Sequence, residues 1–382
     1  MKKIVGTIAA IALAASSAFA GVNVGMGFNR GVFAPFLMQK IGDNTDFYMT
    51  NSASWGWGGP RIGASFSASS EQIGVVADVK FDGGSVAVND NAYIWVKPFS
   101  WLKLQLGQSF DDTLRSGASY GSWDLFRSSK SIRGDDATFK RLGAIGAKAG
   151  KDESSVLTGA ILMLDPIENL HIGVGLPIAY GSASSKYEDI FSKTQVQAGY
   201  TIPDVAQIKA QWIGLGKDAI DDDMIGIINA AVCVKAIENM TLDFGVYYDI
   251  GTKGTNCSDG DITLVAFWGM PIDALKLNAN VEVLLPGSDD DELTLTAGAG
   301  VGYDMGNGWN LGADVRFSKE FDEDADAAVE VGAWASKGIP SGSICVGVQA
   351  VFNEDFNGIT SESGGKNTKK AIALPIMFQC FF

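Results

Sequence analysis

Apolar residues recur at every second position along most of this chain. Val22, Val24, Met26 and Phe28 alternate with Asn23, Gly25, Gly27 and Asn29, and Ile62, Ala64, Phe66 and Ala68 show the same spacing. Val75, Ala77, Val79 and Phe81 do so before the turn signal Asp82-Gly83-Gly84. The pattern sharpens downstream. Leu275 to Val283, Leu293 to Val301 and Trp309 to Phe317 each place apolar side chains on one parity and polar residues or glycine on the other. A period of two predicts strands with one greasy face. Runs of about nine to eleven residues suit a tilted strand crossing the hydrocarbon core of a bilayer better than a short soluble strand.

A sandwich also alternates, so the connections must decide. A short connector recurs in Lys97-Pro98-Phe99-Ser100-Trp101, Asp165-Pro166-Ile167-Glu168-Asn169, Lys235-Ala236-Ile237-Glu238-Asn239 and Met270-Pro271-Ile272-Asp273-Ala274. Weaker relatives lie at Pro203, Gly306 and Pro340. Marks at residues 166, 203, 236, 271, 306 and 340 are separated by 37, 33, 35, 35 and 34 residues. Such a repeat reads as hairpins: a short turn, a strand, a longer loop and a returning strand. The segments midway between these turns are longer, polar and mostly acidic: Lys217 to Asp223, Gly251 to Asp261, Pro286 to Glu292, Lys319 to Asp326 and Asn353 to Lys369. Short turns at one end and charged loops at the other are the asymmetry of an outer-membrane barrel. Trp101, Trp268, Tyr303 and Trp309 stand beside the short turns on the apolar parity, where interfacial aromatics belong.

The closing stretch, Lys369 to Phe382, carries Leu374, Ile376, Phe378, Cys380 and Phe382 on one face and stops on an aromatic residue. It resembles the last strand of bacterial outer-membrane β-barrels. That resemblance implies that Phe378, Cys380 and Phe382 form a signal read by the barrel assembly machinery, with outer-membrane lipid as the surroundings. The fold expected is all-β: a single transmembrane, antiparallel, up-and-down barrel over residues 21–382. About 18 strands are expected, with a range of 16 to 20, since residues 98–166 hold either one hairpin with a long loop or two hairpins. Five candidate runs precede Pro98, so two must merge or one must leave the barrel. The turn-and-strand style of Trp95 to Gly107 is also similar to that of spirochaete (treponemal) major outer-membrane proteins.

Composition adds the compartment. Lys2 and Lys3, an apolar run from Ile4 to Ala15 and Ala18-Phe19-Ala20 predict a signal peptide over residues 1–20. Without those two lysines, 27 of the 29 basic residues face 44 acidic ones, a net charge of −17. That excess argues against nucleic acid as a partner. Met224 to Val234 is uncharged and mostly apolar but far shorter than the roughly 18 residues of a spanning helix. The four cysteines lack metal-ligand spacing, and those in strand patterns read as small apolar residues, with Cys257 alone looking exposed. No cofactor is expected. His171 is the only histidine, so no catalytic triad or paired-histidine site can be assembled nearby.

A barrel of this width has a lumen that wall side chains cannot fill. The sequence therefore predicts a water-filled channel for ions and small hydrophilic solutes. By parity its wall includes Lys103, Lys209, Asp243, Lys276, Glu282, Asp314 and Arg316. The segment Ser109 to Arg141 is the least strand-like. It mixes Asp111, Asp112 and Asp124 with Arg115, Arg127 and Arg133, and it resembles in composition and place the loop that narrows general porins; an ordinary hairpin is the other reading. The porin resemblance also implies a homotrimer. Acidic loops at Asp221 to Asp223, Asp289 to Glu292 and Asp322 to Asp326 either solvate the surface or favour cations within a Debye length of roughly 8 Å. No calcium-loop spacing occurs among them. A surface adhesin, a substrate-specific transporter and a soluble secreted β protein are the competing classes.

Overall fold

The structure, a computed structural model, describes residues 22–26, 29–50, 62–82, 85–115, 143–146, 158–178, 187–217, 223–251, 260–288, 292–321, 326–353 and 368–380. The expected signal peptide lies outside these residues, as do Phe382 and the segment 116–142.

Nearly all of it is strand. The first part comprises β1 (Val22–Met26), β2 (Asn29–Ile41), β3 (Asn44–Thr50), β4 (Ile62–Ser69), β5 (Ile73–Asp82), β6 (Ser85–Phe99), β7 (Leu102–Gln108), β8 (Phe110–Asp111) and β9 (Ile145–Gly146). There follow β10 (Thr158–Leu164), β11 (Leu170–Pro177), β12 (Gln195–Ile202), β13 (Ala206–Lys217), β14 (Met224–Val234), β15 (Thr241–Ile250) and β16 (Ile262–Ile272). The last are β17 (Leu275–Leu285), β18 (Thr294–Gly306), β19 (Trp309–Glu320), β20 (Ala328–Ile339), β21 (Gly342–Phe352), β22 (Thr368–Ala373) and β23 (Ile376–Cys380). One helical turn, Tyr187–Ser192, precedes β12.

Pairing runs from β4 round to β21 and on through β22 and β23 to β2, and β1, which directly precedes β2 in the chain, pairs with β4, so the sheet comes round into a ring. Twenty-one segments share one antiparallel sheet, while β8 and β9 form a separate small one. Three ring positions each hold two segments. β1 and β2 are consecutive along one line, with β4 beside the first and β3 beside the second. β22 and β23 both lie between β21 and β2, interrupted at Leu374 and Pro375. The twenty-one segments therefore fill eighteen positions among the described residues. β7 pairs directly with β10, so residues 98–166 contribute one hairpin with a long excursion. The six segments before β7 fill four positions, β1 sharing one with β2 and β3 one with β4, so merging is the course taken of the two that parity left open.

The recurring connectors are tight turns at one end of the ring. All but the turn at 97–101 hold a non-glycine residue at positive φ: Asn169 (66°), Asp204 (57°), Asn239 (59°), Asp273 (51°), Asn307 (53°) and Ser341 (60°). Asn and Asp tolerate this left-handed region best among non-glycine residues, which explains their recurrence there. At the opposite end the expected asymmetry is incomplete. β2 to β3 and β5 to β6 turn within two residues each, because their strand ladders continue to the very tip.

The two faces differ in protection. On β14, Ile228 and Val232 are 46% and 38% exposed, whereas Asn229 and Cys233 are 2% and 9%. Side chains converge inside a closed ring and splay outside it, so the protected parity is the inner one. Outside stand Val246, Leu264, Val301, Val315, Val331 and Val348, all well exposed. This is a soluble protein's arrangement turned inside out, the solution that lipid imposes on a closed sheet. Trp101, Tyr303 and Trp309 face outward beside the turns, with Phe99 stacked on Trp101 at 5.3 Å. Phe378 and Cys380 also face outward. Cys380 is thus exposed in the protein alone, contrary to the reading that reserved exposure for Cys257, which lies outside the described residues.

The inner wall is less hydrophilic than its sequence suggested. Ile213, Ile227, Ala231, Tyr247, Val265 and Phe267 form a buried inner cluster across β13 to β16. A second inner cluster joins Ala34, Leu37, Cys345, Val351, Ala371, Ala373 and Met377 where the last strands meet the first.

Candidate functional site

The inner face of β11, β12 and β13 holds the two ends of the segment that leaves β7. β8 and β9 pair through Phe110 with Gly146 and Asp111 with Ile145. They lie against the wall because polar inner positions reach their backbone. Lys209 Nζ donates to the Leu114 carbonyl at 2.7 Å, and Gln197 Nε2 donates to the Asp111 carbonyl at 3.2 Å. The Gly146 amide donates to Gln195 Oε1 at 2.7 Å, and Gln211 Nε2 donates to the Ala144 carbonyl. A loop leaving a sheet loses its ladder partners, and these side chains replace them.

Two glycines make room for the contact. A β-carbon at Gly173 would come within 2.5 Å of Asp111 Oδ2, and one at Gly199 within 2.6 Å of the Leu114 side chain. Leu114 and Ile145 are consequently 3% and 1% exposed.

The single histidine sits at the start of this contact. His171 Nδ1 lies 2.8 Å from Asp165 Oδ1, and Nε2 lies 2.8 Å from Asp111 Oδ2. Asp111 Oδ1 accepts from the Thr113 amide at 3.1 Å and its hydroxyl at 2.6 Å. Burial pushes the Asp111 carboxyl up, but hydrogen bonds from His171 and Thr113, with the His171 charge, outweigh it and hold the group below its usual range. Beside it opens a recess of about 170 Å³ lined by Lys97, Ser100, Lys103, Thr113, Asp165 and His171.

The remaining sequence-derived residues are distributed around the ring. Lys209 and Asp243 are buried on the inner face at 2% and 3%, and Lys103 is half-buried with its ammonium over the Trp95 ring. On the inward parity of β17, Lys276 is exposed and Glu282 half-buried. Asp314 and Arg316, 9% and 2% exposed, stand on β19, half-way round from β10. Arg316 Nη2 is 3.5 Å from Asp314 Oδ2, and Gly298 opposite leaves space into which the guanidinium extends. Asp112 and Arg115 are exposed on the inner segment, whereas Asp124, Arg127 and Arg133 lie outside the described residues. The wall positions are thus spread around the ring, and only the inner segment gathers several residues at one place.

Sequence reasoning missed Asp165, Thr113, Gln195 and Gln197, whereas strand parity already placed Gln211 on the inward side. The Gln195-Val196-Gln197 alternation signalled inward amides; their backbone partners lie far away in sequence. Lys209→Met removes the donor to Leu114 while keeping the stem. It is expected to loosen residues 110–115, read as faster amide exchange there, with Lys209→Arg near wild type.

The ring, its polar inner parity and the inward segment define the fold of outer-membrane porins. No known family's sequence profile matches the chain. No curated protein matches it either. Solved structures do. An anion-selective porin from Comamonas acidovorans superposes with a TM-score of 0.58 at 8% identity, covering 94% of this chain and 100% of its own. Pseudomonas aeruginosa OccK5 (OpdH) gives 0.54 at 9% identity, over 95% and 99%. Acinetobacter baumannii OccAB4 gives 0.54 at 8%, over 95% and 99%. At such identity the likeness is one of fold.

Proposed function

We propose that the chain is an outer-membrane porin, a water-filled channel for passive diffusion of ions and small hydrophilic solutes. The observation that carries the reading is the closed ring of eighteen positions with charged and amide side chains on its protected inner parity. A ring of that size is too wide for its wall to fill. Lys103, Lys209, Asp243, Lys276, Glu282, Asp314 and Arg316 are its lining, and Asp111, Asp112 and Arg115 lie on the segment that narrows it. The acidic loops give a mild preference for cations. Residues 1–20 direct export and are removed. Phe378, Cys380 and Phe382 serve recognition by the assembly machinery, and the assembly is a homotrimer, as the porin resemblance implies. The spirochaete likeness rests on Trp95 to Gly107 alone.

A second reading has its own support. The inner cluster of Ile213, Tyr247, Val265 and Phe267 gives the lumen an apolar wall, which suits a channel selective for an amphiphilic solute. One experiment separates the readings. Protein refolded from detergent into planar bilayers is expected to give stepwise ohmic currents that favour potassium over chloride, the preference fading at high salt. Currents blocked saturably by a solute would favour the selective channel. Absence of any step would overturn both and leave a surface adhesin.

A further inference from the structure

We propose that protonated His171 is the clasp that positions the inner segment against the wall, and that loss of its proton releases the segment's first turn. This rests on the channel reading for its consequence but not for its structure. Carboxylate oxygens accept and never donate when ionised, so an imidazole at 2.8 Å from carboxylates on both nitrogens must donate from both. Only the charged ring can do so. The neutral ring keeps one proton and turns a lone pair toward the second carboxylate. One hydrogen bond then becomes a repulsion beside Asp111, a residue with no exposure at all.

The clasp joins three parts of the chain. Asp165 follows β10 at the short turn, His171 is the second residue of β11, and Asp111 belongs to the segment that has left the ring. Its second oxygen is occupied by Thr113, so the turn that follows Asp111 is held through the same carboxylate. The charged groups facing His171 are Asp111 from β8, Asp165 from the turn after β10, and Lys97 and Lys103 across the recess from β6 and β7. Glu168 lies in the same turn, exposed. Ordinary lysine and carboxylate values fall outside about pH 5 to 8, whereas imidazole changes charge within it. The Asp111 carboxyl, held below its usual range, stays ionised at the acid end of that window. His171 is therefore the one member of the group that switches, and it is the only histidine in the 382 residues.

The test measures two things on the full-length channel between about pH 5 and 8. Hydrogen exchange of the amides in 110–115, corrected for the intrinsic effect of pH, is expected to be slow at the acid end and to speed up several-fold toward the alkaline end. Single-channel currents are expected to pass from quiet steps to larger, flickering ones over the same range. His171→Arg, charged throughout, should flatten both profiles at the quiet level. His171→Gln should flatten them at the noisy level, and Asp165→Asn, at an exposed turn position, should make the acid-end exchange faster. Exchange in wild type that ignores pH, or a His171→Gln profile identical to wild type, would overturn the clasp. Absence of currents with the exchange profile intact would instead overturn the channel reading alone.

Discussion

Alanine at Gly173 is expected to lift the inner segment from the wall and raise single-channel conductance. The added methyl would sit 2.5 Å from Asp111 Oδ2 and 3.0 Å from Gln197 Cγ and Ile145 Cδ1, and Asp111 cannot retreat without leaving His171. Overpacking costs about 1–3 kcal/mol where neighbours are fixed. Separating a buried carboxylate from its partner costs a further few kcal/mol, about 3–5 by the behaviour of broken buried pairs. A lifted segment lets water reach both Asp111 and His171, so it avoids leaving a charge buried and unpaired, and β11 itself, held by its ladders to β10 and β12, need not move. Gly175, two residues along the same inner face, supplies the control. A methyl there would meet its nearest neighbours at 3.7–3.8 Å, an ordinary contact. Gly175→Ala should therefore conduct like wild type. Equal conductance in the two variants would show that the anchored turn does not limit the current.

Arginine at Val315 is expected to be the most damaging substitution for folding into a bilayer. Val315 is 43% exposed on the outer face, directly between Asp314 and Arg316, which are both buried inside. One step along the strand separates a tolerated guanidinium from an intolerable one, because the side-chain period is two. Arg or Lys on the lipid face costs about 2–4 kcal/mol at the midplane and about 0–1 near the interfaces. Denaturant titration in thin-bilayer vesicles should show a loss of that size for Val315→Arg. Tyr303→Arg, beside the short turn, should lose much less. Equal losses would contradict a lipid-facing outer parity.

These two variants also mark what the residues alone could reveal. Parity is a local property, so the outward placement of Val315, Trp309 and Phe378 followed directly from alternation. The hairpin repeat followed from turn chemistry, since Asn169, Asp204, Asn239, Asp273 and Asn307 occupy a backbone region that few other side chains accept. An even count also narrowed the early runs to two outcomes, a merger or the departure of one run. The clasp was not legible. Asp111 and His171 meet across sixty residues, and nothing in either neighbourhood encodes the other. Asp165 was nearer to view, six residues from His171 across a recurring turn. The apolar inner clusters were half visible. Met224 to Val234 is apolar on both parities, as befits a strand with lipid outside and an apolar patch inside, although the sequence served only to exclude a spanning helix there.

The position shared by β22 and β23 lies beside the one shared by β1 and β2. At Leu374 and Pro375 the ladder between β21 and β2 is interrupted, since Pro375 has no amide N–H to give it, so the circumference has a weak rung where the last strands meet the first. Against that weakness stands the patch of Ala34, Leu37, Val351, Ala371, Ala373 and Met377, each at most 1% exposed. Small side chains let the staves approach closely, and the patch acts as an internal hoop across the joint. A stave pulled outward must first part this dry contact, so mechanical rupture of the cylinder should start at that joint and, once begun, unzip in both directions around the circle.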